Sequence, residues 1–301
     1  MDLVFQFLVH SKIIIMKRFF YLLIGLIFII TSCDKVDAPY IESNGGGGGD
    51  DSSTYVQKVL IEDYTAHFCV NCPRAALQIE DLKAAYGNKI IPLALHVGFL
   101  AQPANDPPYD LDLRSSEGTD LDNEFGCSAA GLPNGMISRT VYNSNILVGD
   151  GDWPSAVSII LDKTPIIGLD LTSSIDTVNK KLGLDISIKA LQDIYTADKV
   201  LKVCAYVTES KIIGAQKDEE EATGEVLDYE FNHVLRTSFS GTWGERVSTD
   251  DFIQNNTIEK SYSNLSINPD WDFHNLGAVV FVYDSLTNEV VQAENIEFNL
   301  D

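Results

Sequence analysis

Apolar and polar positions follow two different rhythms along this chain, and the change falls near Pro165. Before it, short apolar runs are separated by stretches with helical spacing. Residues 56–64 read as a strand, apolar at Val59-Leu60-Ile61 and ending in Glu62-Asp63-Tyr64. Ala76, Leu77, Ile79, Leu82, Ala85 and Tyr86 then recur at the helical period, which predicts a helix over 73–86 closed by Gly87. A second strand is expected over 90–97, apolar enough to be central. A long polar stretch, 102–124, follows, with a helix near its end. Gly131-Leu132-Pro133-Asn134 leads into Met136-Ile137-Ser138-Arg139, and a short hairpin is expected around Asn143-Ser144-Asn145. Asp152 stands as a cap before Pro154 and a last helix through 156–161. Alternating strands and helices imply a mixed sheet with helices on its faces.

After Pro165 the period becomes two. Leu184-Asp185-Ile186-Ser187-Ile188-Lys189-Ala190 alternates strictly, as a half-buried strand does. Leu201, Val203, Ala205 and Val207 share one face of another strand, which turns Lys202, Cys204 and Tyr206 to the other. Ser285-Leu286-Thr287-Asn288 joins two further strands as a hairpin. Such short strands suggest an antiparallel β-sandwich over 165–301. Asn232-His233-Val234-Leu235-Arg236 falls at a strand start and reads as a hydrogen-bonded junction between an α/β domain, 55–164, and that all-β domain, ahead of the alternative of a binding feature.

The N-terminus has a different character. Met16-Lys17-Arg18 is basic, residues 19–30 are apolar, and Thr31-Ser32-Cys33 follows. This is the pattern of a secretory signal, with Met16 the expected true start. Ile30-Thr31-Ser32-Cys33 resembles a bacterial lipobox, so 1–32 would be removed and Cys33 lipidated, giving the protein a membrane partner through its lipid. An uncleaved anchor helix that includes Ile13-Ile14-Ile15 is the rival reading. Residues 33–54, with five consecutive glycines from Gly45, cannot bury a core and read as a tether reaching roughly 25 Å. The whole chain of 301 residues is 45% hydrophobic, enough for real cores, and its formal charge of −23 argues against a nucleic-acid partner.

The candidate chemistry lies at Cys69-Val70-Asn71-Cys72, where the first expected strand turns into the first helix. A thiol at such a corner meets free backbone N–H groups and the positive end of the helix dipole, which favour the thiolate. Lowering a thiol pKa from about 8.5 to about 7 is worth roughly 2 kcal/mol. A structural bridge is the plain alternative for an exported protein, although so short a loop constrains the unfolded chain little. Zinc needs four ligands, and His67, Cys69 and Cys72 find no second cysteine pair nearby. His67 reads as a partly exposed loop residue or a modulator of the thiolate. His96 reads as a satisfied core or edge histidine, and Cys127 as a buried free thiol or a third redox thiol. With Cys33 lipidated, four cysteines remain and three pairings are open, Cys127 with Cys204 among them. The acidic stretch 106–124 would suit calcium, but its spacing fails the EF-hand pattern and solvated charge is the default. No cofactor is expected.

The stretch from Asp63 through Phe68 to Cys72 resembles the active-site segment of thioredoxins, and Gly131-Leu132-Pro133 is similar to their Gly-x-Pro. The more specific resemblance is to the outer membrane protein 28 family, carried by Asn71-Cys72-Pro73 and Asn232-His233-Val234-Leu235-Arg236. Members are lipoproteins of Gram-negative bacteria with a thioredoxin-like domain followed by a β-rich one. The resemblance implies an outer-membrane address, a cis Pro133 facing the thiols, and Asp63 as a buried acid beneath Cys72. Cys69 would attack and Cys72 resolve the mixed disulfide, with Asp63 taking the proton and Phe68, Leu132 and Pro133 shaping a substrate groove. Partners would be thiols or disulfides of envelope proteins. Three departures leave the redox direction open: Pro73 directly after the second cysteine, the insertion 101–124, and Val70-Asn71 between the thiols. The competing function is a non-enzymatic surface lipoprotein, an adhesin or binding module.

Overall fold

Strand β1 (Val59–Thr65) has all seven residues buried, because both faces of the sheet around it are covered. In the computed structural model, which describes residues 55–298, it pairs in parallel with β2 (Ile90–His96) and antiparallel with β3 (Asn134–Ile137). The expected signal segment 1–32, the lipidation site Cys33 and the tether 33–54 lie outside the described residues.

Helix α1 (Cys72–Tyr86) connects β1 to β2 and ends at Gly87, whose φ of 62° suits a residue without a side chain. Helix α2 (Ser116–Phe125) closes the long polar stretch: Ser115 caps it by accepting the Gly118 N–H at 3.0 Å, and left-handed Gly126 ends it. The short α3 (Cys127–Ala130) precedes β3. In α4 (Trp153–Leu161), Pro154 takes a first-turn position, and Asp152 stands at the cap without the side-chain hydrogen bond expected of it.

The second half of the described chain is built mainly of strands: β4 (Ile167–Asp176), β5 (Lys181–Ala190), β6 (Leu201–Glu209), β7 (Ile212–Lys217), β8 (Glu225–Phe231), β9 (Val234–Ser238), β10 (Glu245–Arg246), β11 (Thr257–Ser266), β12 (Leu276–Asp284) and β13 (Val290–Glu297). Strands from both sides of residue 164 join one mixed sheet in the order β13-β12-β6-β9-β2-β1-β3, with β10 on β6. The link between the halves is β9. It runs antiparallel to β6 and meets β2 in parallel, with Val234 opposite Ala94 and the Ala94 N–H donating to the His233 carbonyl at 2.8 Å. The segment Asn232–Arg236 is thus a junction within a sheet.

One face of this sheet carries a single core across both halves. Leu60, Tyr64, Leu93 and Leu95 pack there with Cys204, Tyr206, Val279 and Phe281, under Leu121 and Cys127. The other face is covered in two pieces. Helices α1 and α4 lie over Val59, Ile61 and Ile137, with fully buried Trp153 donating its indole N–H to the Val148 carbonyl at 2.9 Å. The three-stranded antiparallel sheet β11-β5-β4 covers Val203, Ala205, Val207, Val280 and Val282. The architecture is mixed α/β, with antiparallel sheets added on one face. The remaining hairpin, β7–β8, belongs to neither layer and reaches the segment of the two cysteines.

Candidate functional site: a buried cystine beside a cavity

Cys69 and Cys72 form a disulfide with their Cα atoms 5.4 Å apart. Cys72 opens α1, while Cys69 lies ahead of the helix and donates its N–H to the Ala66 carbonyl at 3.1 Å. Both half-cystines are buried, at 3% and 2% exposure, in a cluster with Ala66 and Ala101. Leu132 packs against this cluster, and the Leu132–Pro133 peptide is cis. Phe68 is half-buried and stacks on Tyr109 of the insertion, ring centroids 4.6 Å apart.

The cover comes from the β7–β8 hairpin. The Lys217 N–H donates to the His67 carbonyl at 2.8 Å, and the Glu219 N–H to the Val70 carbonyl at 3.1 Å. The buried Gln216 amide donates to the carbonyls of Cys69 at 2.9 Å and Ala66 at 3.3 Å. The Asn71 amide faces the Glu219 carboxylate. Next to the turn of the hairpin, Lys217 pairs with Glu225 at 2.7 Å, and Tyr109 donates to the same carboxylate at 2.8 Å.

Beneath the cystine, Asp63 occupies β1 with 3% exposure, and its Oδ1 has no hydrogen-bond partner among the described residues. Burial, reinforced by the charge of Asp150, pushes its pKa up from 3.8 to about 8. Asp63 and Cys72 border one cavity of about 400 Å³, which α1, β1, β2 and the β7–β8 hairpin line. His96, 3% exposed, lines the same cavity. Burial lowers its pKa to about 3, helped by the charges of His67 and Arg236, so the ring is neutral. Neither of its nitrogens has a partner among the described residues. A satisfied histidine was expected here; the strand pattern placed it inside but said nothing of what it would face.

His67 also differs from expectation. It is 2% exposed, because Phe68, Tyr109 and the hairpin enclose it, and its Nε2 lies 3.2 Å from the Gln102 carbonyl. Burial lowers its pKa, which disfavours the positive charge that would have tuned a thiolate. Cys127 and Cys204 are both buried free thiols in the shared core, and burial pushes each up to about 12. Sequence reasoning missed Gln216 and Tyr109. Neither sits in a motif, and Gln216 is 147 positions from the cysteine whose carbonyl it holds.

Fold and site together define a mixed α/β protein with a cystine buried beside a cavity. The chain belongs to the outer membrane protein Omp28 family, whose model matches residues 119–299. Membership places it at the outer membrane of the cell envelope, and among the described residues no helix is long and apolar enough to cross a membrane. The matched segment begins after the cystine. HBP35 of Porphyromonas gingivalis has a similar fold, with a TM-score of 0.59 and 17% identity over 81% of this chain and 76% of that one. A structural-genomics protein from Agrobacterium tumefaciens gives a TM-score of 0.48 and 13% identity, covering 83% of this chain and 98% of its own. A domain of the outer membrane lipoprotein Omp28 from Porphyromonas gingivalis is 19% identical, with a TM-score of 0.28 over 46% of this chain and 91% of that domain. No curated protein sequence matches this chain.

Proposed function

We propose that this protein is a lipid-anchored thiol–disulfide oxidoreductase of the cell envelope, held through Cys33, with residues 55–164 as a thioredoxin-like unit and Cys69/Cys72 as its redox couple. The observation that carries the reading is the buried Asp63 carboxyl, its Oδ1 without a partner among the described residues, at the edge of the cavity that Cys72 also borders. In the oxidising direction, a client thiolate attacks the Cys69 sulfur and a client–Cys69 disulfide forms. The Cys69–Cys72 bond breaks, and its electron pair leaves on the Cys72 sulfur. That sulfur takes a proton from Asp63. A second client thiolate then attacks the mixed disulfide and releases Cys69 reduced. The reverse sequence reduces a client disulfide, with Asp63 accepting the Cys72 proton. An acid near 8 suits this exchange, because an ordinary thiol lies close to it at about 8.5.

Leu132, Pro133 and Phe68 form the client groove in this reading. The hairpin supports a role for the second half of the chain in access, since Gln216, Lys217 and Glu219 hold the loop that bears the thiols. Exchange with a protein client requires this cover to shift. The same burial favours a second reading, in which the cystine is a structural staple of a non-enzymatic surface module.

Equilibration with glutathione buffers separates the two. A working couple is expected between about −120 and −270 mV, whereas a structural bridge lies below about −300 mV. Within the first range, the value sets the direction in which clients are driven. Cys72→Ser should accumulate mixed disulfides with envelope proteins and Cys69→Ser should form none; equal trapping by both variants contradicts the assigned roles.

A further inference from the structure

The cavity next to the cystine carries an inference that goes beyond thiol exchange. Its volume of about 400 Å³ falls within the roughly 300–1,000 Å³ of small-molecule sites. Leu77 and Ile79 of α1 supply apolar wall, and Tyr229 and Phe231 of β8 supply aromatic wall. Among its polar lining, Asp63 on β1 and His96 on β2, whose backbone partner is Thr65, stand on neighbouring strands. Each is 3% exposed, and Asp63 Oδ1 and both His96 nitrogens lack partners among the described residues. Buried polar atoms are costly to leave unpaired, so two such side chains lining one apolar cavity mark a place for a ligand's polar head.

The charges around the cavity choose the sign of that head. Glu80 and Glu230 are exposed on its lining, and half-buried Asp218 joins them. The neighbouring cation, Lys83, is occupied by Glu80 at 3.0 Å and lies 3.2 Å from His233 Nε2. These carboxylates repel an anion and draw a cation in. A neutral His96 accepts a hydrogen bond, Asp63 supplies the counter-charge once its proton leaves, and aromatic rings on the lining, Tyr229 and Phe231, favour a cation beside them.

We propose that this cavity binds a small hydrophobic organic cation, a primary amine on a short aromatic body, with its ammonium on Asp63 and His96 and its apolar part against Leu77, Ile79, Tyr229 and Phe231. Titration of the oxidised full chain with phenethylamine, followed by calorimetry, tests this without any redox step. Saturable one-to-one binding is expected. Phenylacetate and 2-phenylacetamide should bind at least about tenfold more weakly, and Asp63→Asn and His96→Phe should each weaken the amine at least about tenfold. Ala76→Leu, which fills the cavity from α1 and leaves both polar groups in place, should abolish binding while the far-ultraviolet circular dichroism is kept. Absence of saturable binding by the amine overturns the proposal. So does equal affinity for the anion or the amide, or an affinity that Asp63→Asn or Ala76→Leu leaves unchanged.

Discussion

Glu62 and Asp63 are consecutive on β1 and both carboxyls are buried, at 0% and 3% exposure, yet the fold treats them in opposite ways. Strand geometry turns them to different faces of the sheet. Glu62 faces the core shared by both halves of the chain. There the buried Arg139 guanidinium grips it with two hydrogen bonds, at 2.7 and 2.8 Å, and is itself stacked between Phe125, Phe281 and Tyr283. Asp63 faces the cavity beside α1 and has no such partner for its Oδ1 among the described residues. One acid is locked as a structural pair, whereas the other takes up a proton. Buried acids therefore divide by what the opposite layer supplies, and burial without a matching cation poises Asp63 to move a proton near neutral pH.

Removing the matched partner should cost much of the fold's stability. Glu62→Gln leaves the Arg139 guanidinium buried without a counter-charge, and denaturant unfolding should show a loss of about 3–5 kcal/mol. A loss below about 1 kcal/mol would mean that the pair is not the fixed element described here.

Asp63→Asn should act in the opposite direction, and its effect should depend on pH. The folded-state pKa of about 8 lies above the unfolded value near 3.8. Between those values the folded chain holds a proton that the unfolded chain has released. Stability therefore falls as pH rises, by about 1.4 kcal/mol per unit, and levels off above pH 8. The asparagine variant lacks this fall. Unfolding curves at pH 4, 6 and 8 should converge at the acid end and separate toward pH 8 with the variant more stable; parallel curves would contradict an orphaned acid.

The smallest effect concerns the cover. Gln216→Ala removes the hydrogen bonds to the Cys69 and Ala66 carbonyls, worth about 1 kcal/mol, and should speed reduction of the cystine by excess dithiothreitol about fivefold. An unchanged rate would show that the hairpin does not govern access.

The contrast between the two acids also marks where the sequence stops being informative. Local periodicity located the elements: strands expected over 56–64 and 90–97 are Val59–Thr65 and Ile90–His96, and the helix expected over 73–86 is Cys72–Tyr86. It also sorted faces, since Val203, Ala205 and Val207 lie in one core and Cys204 and Tyr206 in another. A two-residue period says which side chains share a face, but it cannot say what lies over that face. Arg139 is 77 positions from Glu62, and Gln216 is 147 from Cys69. For the same reason, His67 was expected to be partly exposed and is enclosed, and His96 was expected to be satisfied and is not. Within the sheet the two halves meet at β9, whose contact with β2 is a single paired position, a register that the local pattern does not encode.

The most direct test of this contrast is the titration of the Asp63 carboxyl carbon by nuclear magnetic resonance in the oxidised protein. The account predicts a midpoint of about 8. A midpoint near 4, that of an ordinary aspartate, would contradict it, leaving Asp63 ionised at neutral pH with no proton to give to Cys72.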